Sequence, residues 1–223
     1  MNNHLLERLA GLEIACRFLY TSLHQTPSDA YIEQITSEQL LEHWPVESDN
    51  ASVSSALTLM RSFIGHQGAE AANRIRDDFN ALFIGPHNLK AVPWASVYLT
   101  EEQLVMTEPT LAIRDFYRRY GVEIHTGEHE PDDHIGLQLA FIAHLLGNIL
   151  DAVEQDQPYE TWLTAIQAFL THHVLTWSGR FLDVMEEAAA TDFNKGLAQL
   201  TRTTLEQLAE LSGAEYRIVK LYR

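Results

Sequence analysis

Leu5, Leu9, Leu12, Cys16, Leu19 and Leu23 recur at alternating spacings of four and three residues. That rhythm puts every apolar side chain on one face of a helix. Later segments repeat it, down to Leu197, Leu200, Leu205, Leu208 and Leu211 near the other end. Helices with one apolar face bury it against each other, and short connections make neighbours of consecutive helices. The pattern therefore predicts an all-α fold, a helical bundle. At 223 residues the chain is long enough for one sizeable core and short for two, so residues 1–223 are expected to form a single domain.

Punctuation divides the pattern. The first helix is expected to end at the Thr26-Pro27-Ser28-Asp29 turn. A short helix is read over 36–43, closed by Trp44-Pro45. Others follow over about 51–64 and 69–83, the latter stopping at Gly85-Pro86. Residues 85–99 hold Pro86 and Pro93 and no helical period, which predicts a long ordered loop. A helix over about 109–120 is closed by Gly121, and 121–130 is a second long loop, rich in Gly, His and Glu. An apolar helix then starts at Pro131 and reaches about 153. Helices over about 159–173, 180–189 and 192–212 complete the reading, with a break at Thr176-Trp177-Ser178-Gly179.

Composition narrows the function. Fifteen basic residues against 31 acidic ones give a net charge of −16, a surface that repels nucleic acid and anionic membranes and attracts basic partners. A single cysteine excludes an intrachain disulfide and a cysteine-based zinc site, which fits a cytoplasmic location. The start, Met1-Asn2-Asn3-His4, lacks the basic region of a signal peptide, and no uninterrupted apolar run of membrane-spanning length is read, so no membrane span is expected. Phosphate-binding glycine loops and the Gly-x-Ser-x-Gly elbow are absent. His125, His129, Glu130, Asp132, Asp133 and His134 crowd together, but no His-Glu-x-x-His or similar helical spacing organises them as metal ligands. No enzyme and no cofactor are expected; a helical metal-dependent hydrolase using this cluster is the alternative.

The stretch Glu130-Pro131-Asp132-Asp133-His134, running into Ile135-Gly136-Leu137, carries the most chemistry. Proline suits a first helical position and acids suit the positive end of a helix. Asp133 and His134 are thus expected near the surface at a helix start. Phe79, Leu82 and Phe83 share one helix face, and Pro93-Trp94 follow on the loop as a candidate apolar groove. Arg180, in Trp177-Ser178-Gly179-Arg180-Phe181, is a candidate partner for an acid such as Asp133 or Glu130.

Three patches stand in order: Leu82-Phe83-Ile84-Gly85-Pro86 with Pro93-Trp94-Ala95-Ser96-Val97-Tyr98-Leu99, then Glu130-Pro131-Asp132-Asp133-His134-Ile135-Gly136, then Trp177-Ser178-Gly179-Arg180-Phe181-Leu182-Asp183-Val184. Together they resemble the TorD/DmsD family of redox-enzyme maturation chaperones, and most of all its DmsD branch. The resemblance runs from about residue 79 to the end; the first 75 residues share only helical character.

It implies an all-helical cytoplasmic protein that catalyses no reaction. Such a protein binds the twin-arginine signal peptide of a molybdenum-containing oxidoreductase subunit, DMSO or TMAO reductase-like, and holds the precursor for cofactor loading before Tat export. Tat translocase components are a further implied contact. A monomer is expected, with a domain-swapped dimer as the alternative. The implied peptide-binding residues are Phe79, Leu82, Phe83, Pro93, Trp94, Asp133 and His134. Gly85, Pro86, Ser96, Tyr98, Glu130, Pro131, Trp177, Arg180 and Phe181 form the supporting motif. On this reading Asp133 accepts from the arginines, His134 orients Asp133 or donates to the peptide, and Trp94, Leu82 and Phe83 line the groove. Phe79 stands where close relatives often have Trp, and Thr176 where the family usually has proline. A plain helical interaction module would instead show no preference for paired arginines.

Overall fold

A helix that is apolar around most of its girth lies largely inside, and α7 (Ile135–Glu154) does so. Leu137, Leu139, Phe141, Ile142, Leu145, Leu146 and Ile149 are all buried. Sequence reading foresaw no run of membrane-spanning length, yet α7 is one by length and composition; 61% of that stretch is buried inside the protein. The computed structural model describes residues 3–46, 51–86, 88–124 and 130–223.

Around α7 the chain adds α1 (Asn3–His24), α2 (Asp29–Ser37), α3 (Ala51–Gln67), a 3₁₀ turn, α4 (Ala71–Phe83), α5 (Ala95–Leu99) and α6 (Glu108–Arg119). After α7 come α8 (Glu160–Phe169) with a π turn (Leu170–Val174), α9 (Ser178–Ala188) and α10 (Asp192–Ser212). The fold is all-α; among the described residues extended pairing is limited to one bridge, between Trp94 and His134. The two most extensive packings are α1 on α7 and α10 on α3, and α10 also touches α9, α8, α4 and α1. One continuous apolar core runs from Leu9 to Ala209.

Several boundaries depart from the periodic reading. Ser28 does not close a turn but caps α2, its hydroxyl accepting from the Tyr31 N–H at 3.1 Å. The helix expected over 36–43 is absent: α2 ends at Ser37, and Gln39 at φ 52° breaks the helical path. The region 85–99 is not loop throughout, because Ala95–Leu99 coils into α5, a single turn too short to show a period. Of the second loop, 125–129 lies outside the described residues, as does His87 in the first. The apolar helix starts at Ile135 rather than Pro131, since residues 131–134 are held by partners outside the helix.

Two devices place the elements that matter for function. At the end of α4, Gly85 takes φ 108°, and its N–H reaches back to the Asn80 carbonyl at 2.9 Å. That conformation favours glycine, and it stops the helix just past Phe83. At the other face of α4, buried Asp78 accepts from the backbone N–H groups of Ala190 and Thr191, the Thr191 hydroxyl and the Asn194 amide, at 2.7–3.0 Å. This ties α4 to the start of α10.

Candidate functional site

The acids of the 130–134 stretch turn inward. Asp133 is 0% exposed. Its Oδ2 accepts the Ser96 N–H at 2.7 Å and its Oδ1 the Thr110 hydroxyl at 2.9 Å. Its main-chain carbonyl accepts from the Gln138 amide at 2.7 Å and the Ala95 N–H at 3.2 Å. Asp132 meets Arg114, whose Nη2 and Nε lie 2.6 and 2.8 Å from Oδ2, and its carbonyl takes the Tyr117 hydroxyl at 3.0 Å. Burial, with Asp132 and Asp133 nearby, pushes the Tyr117 hydroxyl well above its ordinary range and keeps it a donor.

These bonds correct the expectation that Asp133 sits near the surface. Both its oxygens face neutral donors inside the fold, so it holds structure in place. The stretch it fastens is 93–96. Pro93 accepts the Ile135 N–H at 2.9 Å, and Trp94 bridges to His134. Two segments forty residues apart in sequence are thereby clasped at the mouth of α7.

His134 is buried as well, at 5% exposure. Its Nδ1 accepts the Gly136 N–H at 3.0 Å and so caps α7. Burial, and next to it the neighbouring His24, hold its pKa well below the usual histidine range. A neutral ring whose Nδ1 accepts must carry its proton on Nε2. Gly136 is needed here for a second reason: a Cβ would lie 2.8 Å from the His24 Cβ, so only glycine lets the end of α1 close on the start of α7.

Above this clasp opens a cleft of about 510 Å³, lined by Tyr20, Leu23, His24, Gln25 and Thr26 of α1 and its exit, Phe79, Phe83 and Ile84 of α4, and Trp94, Glu130 and His134. Its rings form a ladder. Tyr20 and His24 lie 5.3 Å apart at 30°, His24 and His134 4.9 Å at 83°, and His134 and Trp94 6.0 Å at 78°. Phe79 and Phe83 meet edge-on at 5.0 Å. The Trp94 Nε1–H donates to Glu130 Oε1 at 2.6 Å, so the ladder ends at a carboxylate. Aromatic faces leading to an acid suit a cationic, partly apolar ligand.

The structure thus brings Phe79, Phe83, Trp94 and His134 together, with Glu130 in the lining rather than only in the supporting motif. Leu82, Pro93 and Asp133 lie behind that lining. Leu82 is fully buried, and its carbonyl anchors the loop by accepting the Ala91 N–H at 3.1 Å. Pro93 and Pro131 are buried in the clasp, and Ser96 supplies the N–H for Asp133. Pro86 is exposed beyond the Gly85 stop.

Tyr98, Trp177 and Phe181 stack in the core below, with ring centroids 5.3 Å apart for Tyr98–Trp177 and 5.6 Å for Trp177–Phe181. Phe181 reaches Phe83 at 6.3 Å and so supports the floor of the cleft. Arg180 pairs with neither Asp133 nor Glu130. It lies exposed, its Nε donating to the Arg223 main-chain oxygen at 3.3 Å, while the arginine that meets an acid at the clasp is Arg114, on Asp132.

Sequence reasoning missed the α1 wall altogether. A signal was there: Tyr20 and His24 stand one turn apart, beside the Leu19–Leu23 stripe. Among the described residues no group of three or more His, Cys, Asp or Glu is placed to hold a metal. His125 and His129 lie outside the described residues.

Comparison with known proteins agrees with the motifs. The sequence profile of the nitrate reductase delta subunit family matches residues 47–183, more than half of the chain. A probable Tat proofreading chaperone DmsD of Haemophilus influenzae is 30% identical over 203 residues, covering 89% of this chain and 90% of that protein. The Tat proofreading chaperone DmsD of Salmonella typhimurium is 29% identical over 176 residues, 79% and 76% of the two chains. The chaperone protein TorD of Aliivibrio fischeri is 26% identical over 183 residues, 78% and 85%. An alignment of 203 residues is longer than the segment after residue 75, so the likeness reaches into the α1–α3 region, beyond the motifs that first suggested it. The chain belongs to the TorD/DmsD family of redox-enzyme maturation chaperones, whose members are chaperones and not enzymes.

Proposed function

We propose that this protein is a cytoplasmic chaperone that binds the twin-arginine signal peptide of a molybdenum-containing oxidoreductase precursor, DMSO or TMAO reductase-like, and holds it for cofactor loading before Tat export. The observation that carries the reading is the cleft: an aromatic ladder ending at the Glu130 carboxylate, on a chain of net charge −16. A twin-arginine leader has a cationic half and an apolar half. The guanidinium groups suit Glu130 and the ring faces. The apolar half suits Phe79, Phe83, Leu23 and Ile84, each Å² of buried apolar surface contributing about 25 cal/mol. The family's names point the same way, since relatives are described as Tat proofreading chaperones.

Within this reading Glu130 takes the role first given to Asp133. Phe79, Phe83, Trp94 and His134 touch the peptide, and Leu82, Pro93 and Asp133 act through them. Residues 1–223 work as a single domain, as a monomer. The test is calorimetric titration of the protein with a synthetic twin-arginine leader and with the same peptide carrying two alanines. Binding that weakens at least about tenfold, a loss of about 1.4 kcal/mol, on losing both arginines is the expected result. Equal binding of both peptides would reduce the function to apolar peptide capture, and binding of neither would refute it.

A further inference from the structure

The wall contributed by α1 has no counterpart in the motifs, yet it supplies two of the four rungs of the ladder, Tyr20 and His24. His24 holds the middle position. One side of its ring leans on Tyr20, its edge meets His134, and its Cβ rests against Gly136.

Resting on the leader-binding reading, we propose that His24 is a specificity-determining residue of the cleft: its ring completes the aromatic face on which a leader guanidinium lies. The chemistry is that of cation–π contact. A ring between two other rings extends a face that attracts a planar cation, whereas an ammonium at the same place repels it.

Charge bookkeeping in the cleft makes the effect specific. Among the described residues lining it, the titratable groups are Tyr20, His24, Glu130 and His134. Trp94, Phe79, Phe83 and Ile84 bring no charge from the strap and α4. His134 is held neutral by burial and caps α7 through Nδ1.

Wild type is compared with His24→Phe, His24→Gln and His24→Lys by titrating the full chain with the twin-arginine leader, and thermal melting of each confirms folding. The titrations are run at about pH 7.5 because buried His134 and His173 both have folded-state values below the histidine norm, His173 at about 4, with burial the first cause. The unfolded chain therefore binds protons more readily, and stability falls as pH drops below about 6.5.

His24→Phe, which keeps a flat ring, is expected to retain the affinity of wild type. His24→Gln binds several-fold more weakly, and His24→Lys binds poorly. A wild-type protein that binds leader well, with His24→Gln and His24→Lys matching its affinity, overturns the role of His24 while leaving leader binding intact. No leader binding by wild type would instead refute the reading on which the proposal rests.

Discussion

Asp133 and Glu130 are two acids of one motif with opposite situations, and the contrast yields a prediction. Asp133 is sealed inside and accepts from Ser96 and Thr110, whereas Glu130 stands in the cleft lining against Trp94. Converting a buried acceptor to an amide puts N–H groups where a donor already points, and an unsatisfied buried group costs about 1–3 kcal/mol. Asp133→Asn should therefore lower Tm by several degrees, at roughly 2–4 °C per kcal/mol for a chain of this size, with weaker leader binding as a consequence of a loosened Trp94 strap. Glu130→Gln should leave Tm within a degree or two and weaken leader binding directly. Calorimetry and thermal melting on the two variants separate these outcomes; matching profiles would mean that both acids do the same job. At this scale the sequence picks out the motif and misplaces its parts. Acid-rich residues ahead of an apolar helix read as a solvated helix start. Their donors, Ser96, Thr110, Arg114 and Tyr117, come from 15 to 37 residues earlier, and no local pattern announces such partners.

Long amphipathic elements were legible because periodicity over five or six turns leaves little freedom: α1, α7 and α10 lie where spacing puts them, within a few residues. Short elements were not. α5 has five residues, and α2 hides behind a Ser28 cap that looks like a turn. The meeting of α1 with α7 is also a tertiary event, and a single position controls it. An alanine at position 136 would bring its Cβ 2.8 Å from the His24 Cβ and 3.2 Å from His134 Nδ1. The helix must retreat or the His134 cap must open. Gly136→Ala is expected to cost about 1–3 kcal/mol through overpacking, despite the better helix propensity of alanine. It should also weaken leader binding severalfold by spreading the α1 and α7 walls. Denaturant unfolding together with the leader titration checks both effects; unchanged affinity at reduced stability would detach the cleft from the helix crossing.

For the whole molecule, the fold makes a cleft by gathering three distant pieces of chain: the end of α1, the end of α4 with the 93–96 strap, and the approach to α7. The strap and the approach carry the family motifs and were visible in sequence; the α1 wall was visible only once the helices were packed. A molecule of net charge −16 draws any cationic peptide toward it. What distinguishes the cleft is that one acid, Glu130, is held by a ring N–H at the end of an aromatic ladder. The central claim is that this acid reads the leader's arginines. A double-mutant cycle measures it most directly: wild type and Glu130→Gln, each titrated with the leader and with its arginine-to-alanine form. The account predicts a coupling energy of about 1 kcal/mol or more, beyond the spread of about 0.3–0.5 kcal/mol seen for independent sites. Additive losses, with the arginines worth as much to Glu130→Gln as to wild type, would contradict it and move cation recognition elsewhere on the surface.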